Sequence, residues 1–207
     1  MQISDACRQQ IIEPSEGLGP KRPGGFACYR DAVGVVTGGY GHTARAGAPY
    51  PMLGEVWSPA KCDTVLADDL RAFARGLDAL LVGLNFDVPQ RHFDALGSLA
   101  FNIGIGALRS SSLLAAYRRG DTATAARKFM DWTKAGGRVL PGLVARRRRE
   151  QAWFVDGRLG ARTTTLLMGD ADDTGGPFAR LLDPPDNVVA RTVNRWRAPA
   201  LPNEMPA

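Results

Sequence analysis

Residues 29 to 43 read YRDAVGVVTGGYGHT and concentrate groups that can do chemistry. Asp31 offers a carboxylate, His42 an imidazole, and Thr37 and Thr43 offer hydroxyls, with four glycines among them. Carboxylates and imidazoles transfer protons. Glycine allows close approach of a bound chain to the backbone, or supplies the positive φ of a tight turn. Both uses fit here. Each residue also has an ordinary reading on its own. Aspartate near glycine is a common turn residue, and threonine suits a strand.

The stretch itself reads as two short strands around a turn. Before it, Ile3, Cys7 and Ile11 are spaced four apart, which predicts a short helix over roughly residues 5 to 13. Pro14 is expected to end or kink that helix. Residues 17 to 25, GLGPKRPGG, and 47 to 59, GAPYPMLGEVWSP, read as loops. Ser58-Pro59 is an N-cap and first-turn pair. It opens a long helix to about Leu84, with Leu66, Leu70, Phe73, Leu77, Leu80 and Leu81 on one apolar stripe. Pro89 opens a helix that stops near Gly104. Ser110–Ser112 caps another that Gly120 closes. Asp121 caps a helix with Ala125, Phe129 and Trp132 on one side, and Pro141 starts a last helix to about Phe154. One small β-rich patch followed by several helices is α+β by class, and mostly α.

The chain has 207 residues, 44% of them hydrophobic, enough for a substantial core. No segment approaches the ~18 uncharged apolar residues of a membrane span. The N-terminus lacks a basic region followed by an apolar one, so no secretory signal is expected. Cys7, Cys28 and Cys62 are scattered without CxxC spacing, and there are only two histidines. That argues against a zinc site and a disulfide framework. The net charge of +5 draws the protein to polyanions, whether nucleic acid, anionic membrane or acidic wall polymer. No groove-reading motif or aromatic platform points to nucleic acid.

Four segments in series resemble the phage-type lysozymes, the endolysins of glycoside hydrolase family 24. The first is Glu16-Gly17 at the end of the opening helix. The second is the hairpin, where Tyr29, Asp31, Gly34, Thr37, Gly39, Tyr40, Gly41, His42 and Thr43 fill the family pattern. The third is FDALGSLAFNIG, residues 93 to 104, and the fourth is FMDWTKAGGRVLPGLVARRRRE, residues 129 to 150. The sequence departs from the pattern in one respect. Asp31 lies fifteen residues after Glu16, a longer interval than the family has, and Glu13 is therefore a rival for the first place. The loop over 47 to 59 is also longer than expected.

The resemblance implies a two-lobed fold. A small N-terminal β-hairpin lobe faces a helical C-terminal lobe, and a long helix joins them. It implies hydrolysis of the β-1,4 bond between N-acetylmuramic acid and N-acetylglucosamine of peptidoglycan. Glu16 is then the general acid, Asp31 the general base, and Thr37 helps position the water, with inversion at the anomeric carbon. Partial burial of an acid favours its protonated form. Inversion needs the two carboxyls ~6.5–9.5 Å apart. Gly41, His42, Phe101 and Asn102 are candidate substrate contacts. His42 also matches a family histidine that forms a structural ion pair, here with Asp69, and core packing is the alternative for Phe101. Arg146 to Arg149 are expected mostly as a solvated face, with the alternative that one arginine reaches the acid.

No cofactor and no metal are implied. The expected course is a monomer held in the host cytoplasm until a holin-like membrane protein opens the way to the periplasm and cell wall. The alternatives are a virion-associated lysozyme used at entry, or a catalytically dead peptidoglycan-binding module. The catalytic domain is expected over residues 1–157. Residues 158–207 hold six of the fourteen prolines and the run GDADDTGG. They read as a flexible or loosely docked extension, within which Val189, Val193 and Trp196 could line a short helix.

Overall fold

The computed structural model describes residues 1–31 and 34–159. The expected C-terminal extension, and the short helix around Trp196, lie outside the described residues apart from Arg158 and Leu159. Leu159, just past the boundary expected at Gly157, packs against the main core.

The chain opens with a helical stretch in three pieces that run end to end: α1 (Asp5–Cys7), a π-helical turn (Arg8–Ile12) and α2 (Glu13–Glu16). Of the two outcomes expected of Pro14, an end or a kink, the helix does not end there but carries a π-helical irregularity just before it. A proline cannot donate back to the preceding turn and crowds the carbonyl four residues earlier. The helix stops two residues later, where Gly17 takes a positive φ of 66°.

Two three-stranded antiparallel sheets follow. The first has order β1–β2–β6, from β1 (Lys21–Arg22), β2 (Gly25–Ala27) and β6 (Val56–Trp57). The second has order β3–β4–β5, from β3 (Tyr29–Arg30), β4 (Val36–Gly38) and β5 (His42–Thr43). The first sheet corrects the reading of 17–25 and 47–59 as loops. The extra residues between Glu16 and Asp31 fold into a hairpin around Pro23-Gly24, and the lengthened later segment supplies the strand that pairs with it, Phe26 opposite Trp57. The second sheet has three strands and two turns where two strands were expected. Gly38 has a packing role there. A Cβ at this position would lie 2.9 Å from Cys28 Sγ and from the Trp57 ring, so only glycine lets the indole rest on β4.

The rest is helical. α3 (Pro59–Leu81) is capped by the Ser58 hydroxyl, which accepts from the Lys61 N–H. It is followed by α4 (Gln90–Ile103), α5 (Ile105–Arg109), α6 (Ser112–Arg118) and α7 (Thr122–Lys128). A 3₁₀ turn (Phe129–Trp132), a small hairpin of β7 (Lys134–Ala135) and β8 (Arg138–Val139), and α8 (Pro141–Asp156) complete the described chain. α5 and the β7–β8 hairpin were not expected from the sequence.

The two-lobed plan is visible in the cores. A small core holds Cys28, Trp57, Cys62 and Val65, with Phe26, Val36 and Tyr40 against it. The large core is built on α4, which is buried on nearly every face and packs against α3 and α8. α3, ~35 Å long at 1.5 Å per residue, belongs to both. Its Cys62 and Val65 fill the small core, and Leu66 to Leu81 fill the large one.

Candidate active site

Glu16 is the last residue of the opening helical stretch and stands where the two lobes meet. On one side it faces the hairpin, where a Cβ on Gly41 would lie 3.4 Å from its Oε2. On the other it faces the helical lobe, where Arg146 Nη1 donates to its Oε1 at 2.5 Å. The two side chains are 8% and 4% exposed. Glu13 turns elsewhere. It accepts from Arg8 Nε at 2.7 Å, and Arg8 also reaches Asp63. The two carboxylates left open by the sequence are thus separated by their surroundings.

Arg146 belongs to a buried network. Its Nε donates to Glu150 Oε1 at 3.1 Å, and its Nη2 to the Ser98 carbonyl at 3.3 Å. Glu150 Oε1 also accepts from the Ser98 hydroxyl at 2.7 Å and from Arg147 Nη2 at 3.1 Å. Arg147 Nη2 in turn donates to Asn102 Oδ1 at 3.0 Å. Burial works against the Arg146 charge, but Glu16 and Glu150 more than offset it and hold its pKa above the ordinary arginine value. For Arg147 burial wins and pushes the pKa down to about 10, against the pull of Glu150. The expectation of a mostly solvated arginine run is therefore corrected. Arg146 and Arg147 are buried, Arg148 is exposed, and one arginine does reach the acid. Ser98 was not singled out from the sequence, and Glu150 only by its i,i+4 spacing from Arg146, a pairing the structure bears out. The signal was present in the helical period, since Arg146, Glu150 and Trp153 share one face of α8, and Trp153 marks that face as inward.

Asp31 sits in the β3–β4 turn and shapes it. Its N–H donates to the Val35 carbonyl, its carbonyl accepts from Gly34, and its Oδ1 accepts from the Val35 N–H at 2.8 Å. The turn role open to it in the sequence is real, and the carboxylate is fixed by it. Thr37 pairs with Tyr29 on β3 and with Thr43 on β5. It is buried, and its hydroxyl donates to the Val35 carbonyl at 3.2 Å. Its oxygen can then accept a hydrogen bond from water.

Two of the expected substrate contacts are buried and engaged within the protein. His42 is buried, with Nδ1 at 2.9 Å from Asp69 Oδ2 and Nε2 at 3.0 Å from the Pro49 carbonyl. Both ring nitrogens are engaged, so the ion pair reading holds and no nitrogen faces a ligand. Phe101 is 2% exposed and packs edge-on against Phe73 in the large core. Asn102 is half-buried and is held by Arg147. Gly41, expected as a substrate contact, lies beside the Glu16 carboxylate.

The sequence matches the phage lysozyme family model over residues 24–150, more than half of the chain. It belongs to the phage lysozyme family. An endolysin of Bacillus phage B103 is 42% identical over 119 residues, covering 58% of this chain and 43% of that protein. The chain thus spans less than half the length of this relative. A SAR-endolysin of Enterobacteria phage P21 is 37% identical over 123 residues, covering 59% of this chain and 70% of its own. Among solved structures, a point mutant of P22 lysozyme aligns with a TM-score of 0.62 and 30% identity, over 75% of this chain and 99% of that one. This member of the phage lysozyme family has the family's α+β, mostly helical fold.

Proposed function

We propose that the protein is an endolysin that hydrolyses the β-1,4 bond between N-acetylmuramic acid and N-acetylglucosamine of bacterial peptidoglycan. The observation that carries this reading is the placement of Glu16. Its carboxyl is mostly shielded from water at the meeting of the lobes, between the hairpin glycine and a buried arginine. Glu16 donates its proton to the glycosidic oxygen as the bond to the anomeric carbon breaks. Water attacks that carbon from the opposite face and gives its proton to the Asp31 carboxylate. Thr37 accepts a hydrogen bond from the same water and orients it. The product has inverted configuration.

The long interval between Glu16 and Asp31 raised a binding module without catalysis as an alternative. The extra residues are taken up in the β1–β2 hairpin, and Glu16 keeps both of its neighbours. This supports catalysis. The relatives' names support a role in phage lysis. In that role the protein acts as a monomer on the cell wall. It waits in the host cytoplasm until a holin-like membrane protein lets it through.

The test is digestion of purified peptidoglycan. The expected products carry new reducing ends on N-acetylmuramic acid, released first as the α-anomer. Release of free amino groups without new reducing ends would reject the glycosidase reading. A β-anomer as first product would reject inversion.

A further inference from the structure

The strongest feature outside the proposed reacting groups is the carboxylate of Glu150. It is fully buried on α8 and two guanidinium groups converge on it. Its Oε1 takes Arg146 Nε, Arg147 Nη2 and the Ser98 hydroxyl, and its Oε2 lies 2.8 Å from Arg147 Nε. Arg146 is the only one of these partners that also reaches Glu16. A lone guanidinium against Glu16 would favour the carboxylate form, which is the wrong form for a proton donor. Glu150 supplies a second carboxylate, so that Arg146 divides its charge between Glu16 and Glu150.

Resting on the glycosidase reading, we propose that Glu150 is a positioning residue for the acid. It anchors Arg146 in the orientation that holds Glu16, and it counters part of the charge that Arg146 places on Glu16. Ser98 assists by fixing Glu150 from α4. Other groups around the cluster leave this balance in place. Burial pushes the Cys7 thiol well up, with Asp94 and Glu150 adding, so it is neutral. Asp94 is taken by Ser4, Gln90 and Trp153. Arg149 is depressed by burial and by Arg146, yet it remains a cation on the same helix. Asn102 contributes only a carbonyl oxygen to Arg147.

The test compares the native chain with Glu150→Gln and Ser98→Ala in two readouts, the pH–rate profile on purified peptidoglycan and the titration of the Glu16 carboxyl by carbon NMR. Glu150→Gln leaves two guanidinium groups facing one carboxylate. Its alkaline limb is expected to move to lower pH, so that the rate falls about tenfold on the alkaline side of the profile and stays within about threefold on the acid side. Ser98→Ala is expected to move the limb the same way by less. A uniform loss at every pH, with the limb in its native place, would overturn the proposal and leave Glu150 a structural residue. Where Glu150→Gln does not fold, Ser98→Ala decides, and an unmoved limb there overturns it. A native chain that does not hydrolyse glycan would reject the function instead. The NMR titration still decides the present point, because an unmoved Glu16 titration in the variants would overturn it.

Discussion

Glu16 and Arg146 stand 130 residues apart in the sequence and 2.5 Å apart in the fold. Arg146 thereby ties the end of the opening helix to the last one. Removing the guanidinium leaves the Glu16 and Glu150 carboxylates shielded from water without their shared cation. Arg146→Met is expected to cost about 3–5 kcal/mol, as for other broken buried pairs. Arg148→Met, on the exposed face of the same helix, is expected to change stability by no more than ~0.5 kcal/mol. Urea unfolding of the two variants gives the comparison. Equal losses would contradict the role given to the buried network.

The main helices could be read in the sequence because their ends carry local signals. Ser58-Pro59, Pro89 with Gly104, Asp121 and Pro141 all mark real boundaries. The β1–β2–β6 sheet could not. Strands of two or three residues are too short to show alternation, and Lys21 to Gly25 has the composition of a loop. Its pairing with Val56–Trp57 is a tertiary event across about thirty residues. The site divides in the same way. Glu16, Asp31, Thr37 and Gly41 follow from the resemblance, whereas the burial of Arg146, Arg147 and Glu150 depends on partners on α4 and in the opening helix. A run of four arginines looks solvated until the helix bearing it is known to face inward.

The two histidines should titrate in opposite directions. Burial opposes the His42 charge, but the Asp69 carboxylate and the Gly47 and Pro49 carbonyls more than offset it, so its pKa is raised. The stability it adds is fully present below the unfolded value of about 6.5, while Asp69 stays ionised, and is lost as pH rises through the raised value. His92, stacked on Phe154 and bonded to Tyr117, is pushed down by burial and by Arg91 to about 4. As pH falls from about 6.5 towards 4, the unfolded chain takes up a proton there that the folded chain refuses, so stability falls. Proton NMR should resolve one high and one low imidazole titration. Two unshifted curves would contradict both placements.

Gly41 and Gly120 both have positive φ, 91° and 79°. Alanine at either should cost about 1–2 kcal/mol of backbone strain. Only Gly41→Ala also sets a methyl 3.4 Å from the Glu16 carboxylate. Thermal unfolding should show similar losses for the two variants, and peptidoglycan clearing should fall sharply for Gly41→Ala alone. Equal activity in both would place Gly41 outside the reacting centre.

The most direct test of the account is a paired comparison of Glu16→Gln and Glu13→Gln in the initial rate of clearing of purified peptidoglycan, with circular dichroism to confirm folding. An amide cannot donate the proton, so Glu16→Gln is expected to lose about 10²–10⁴-fold in rate while still binding the wall. Glu13, paired with Arg8 away from the hairpin, should be replaceable by glutamine with most of the rate retained. An active Glu16→Gln beside an inactive, folded Glu13→Gln would contradict the assignment of the acid and the mechanism built on it.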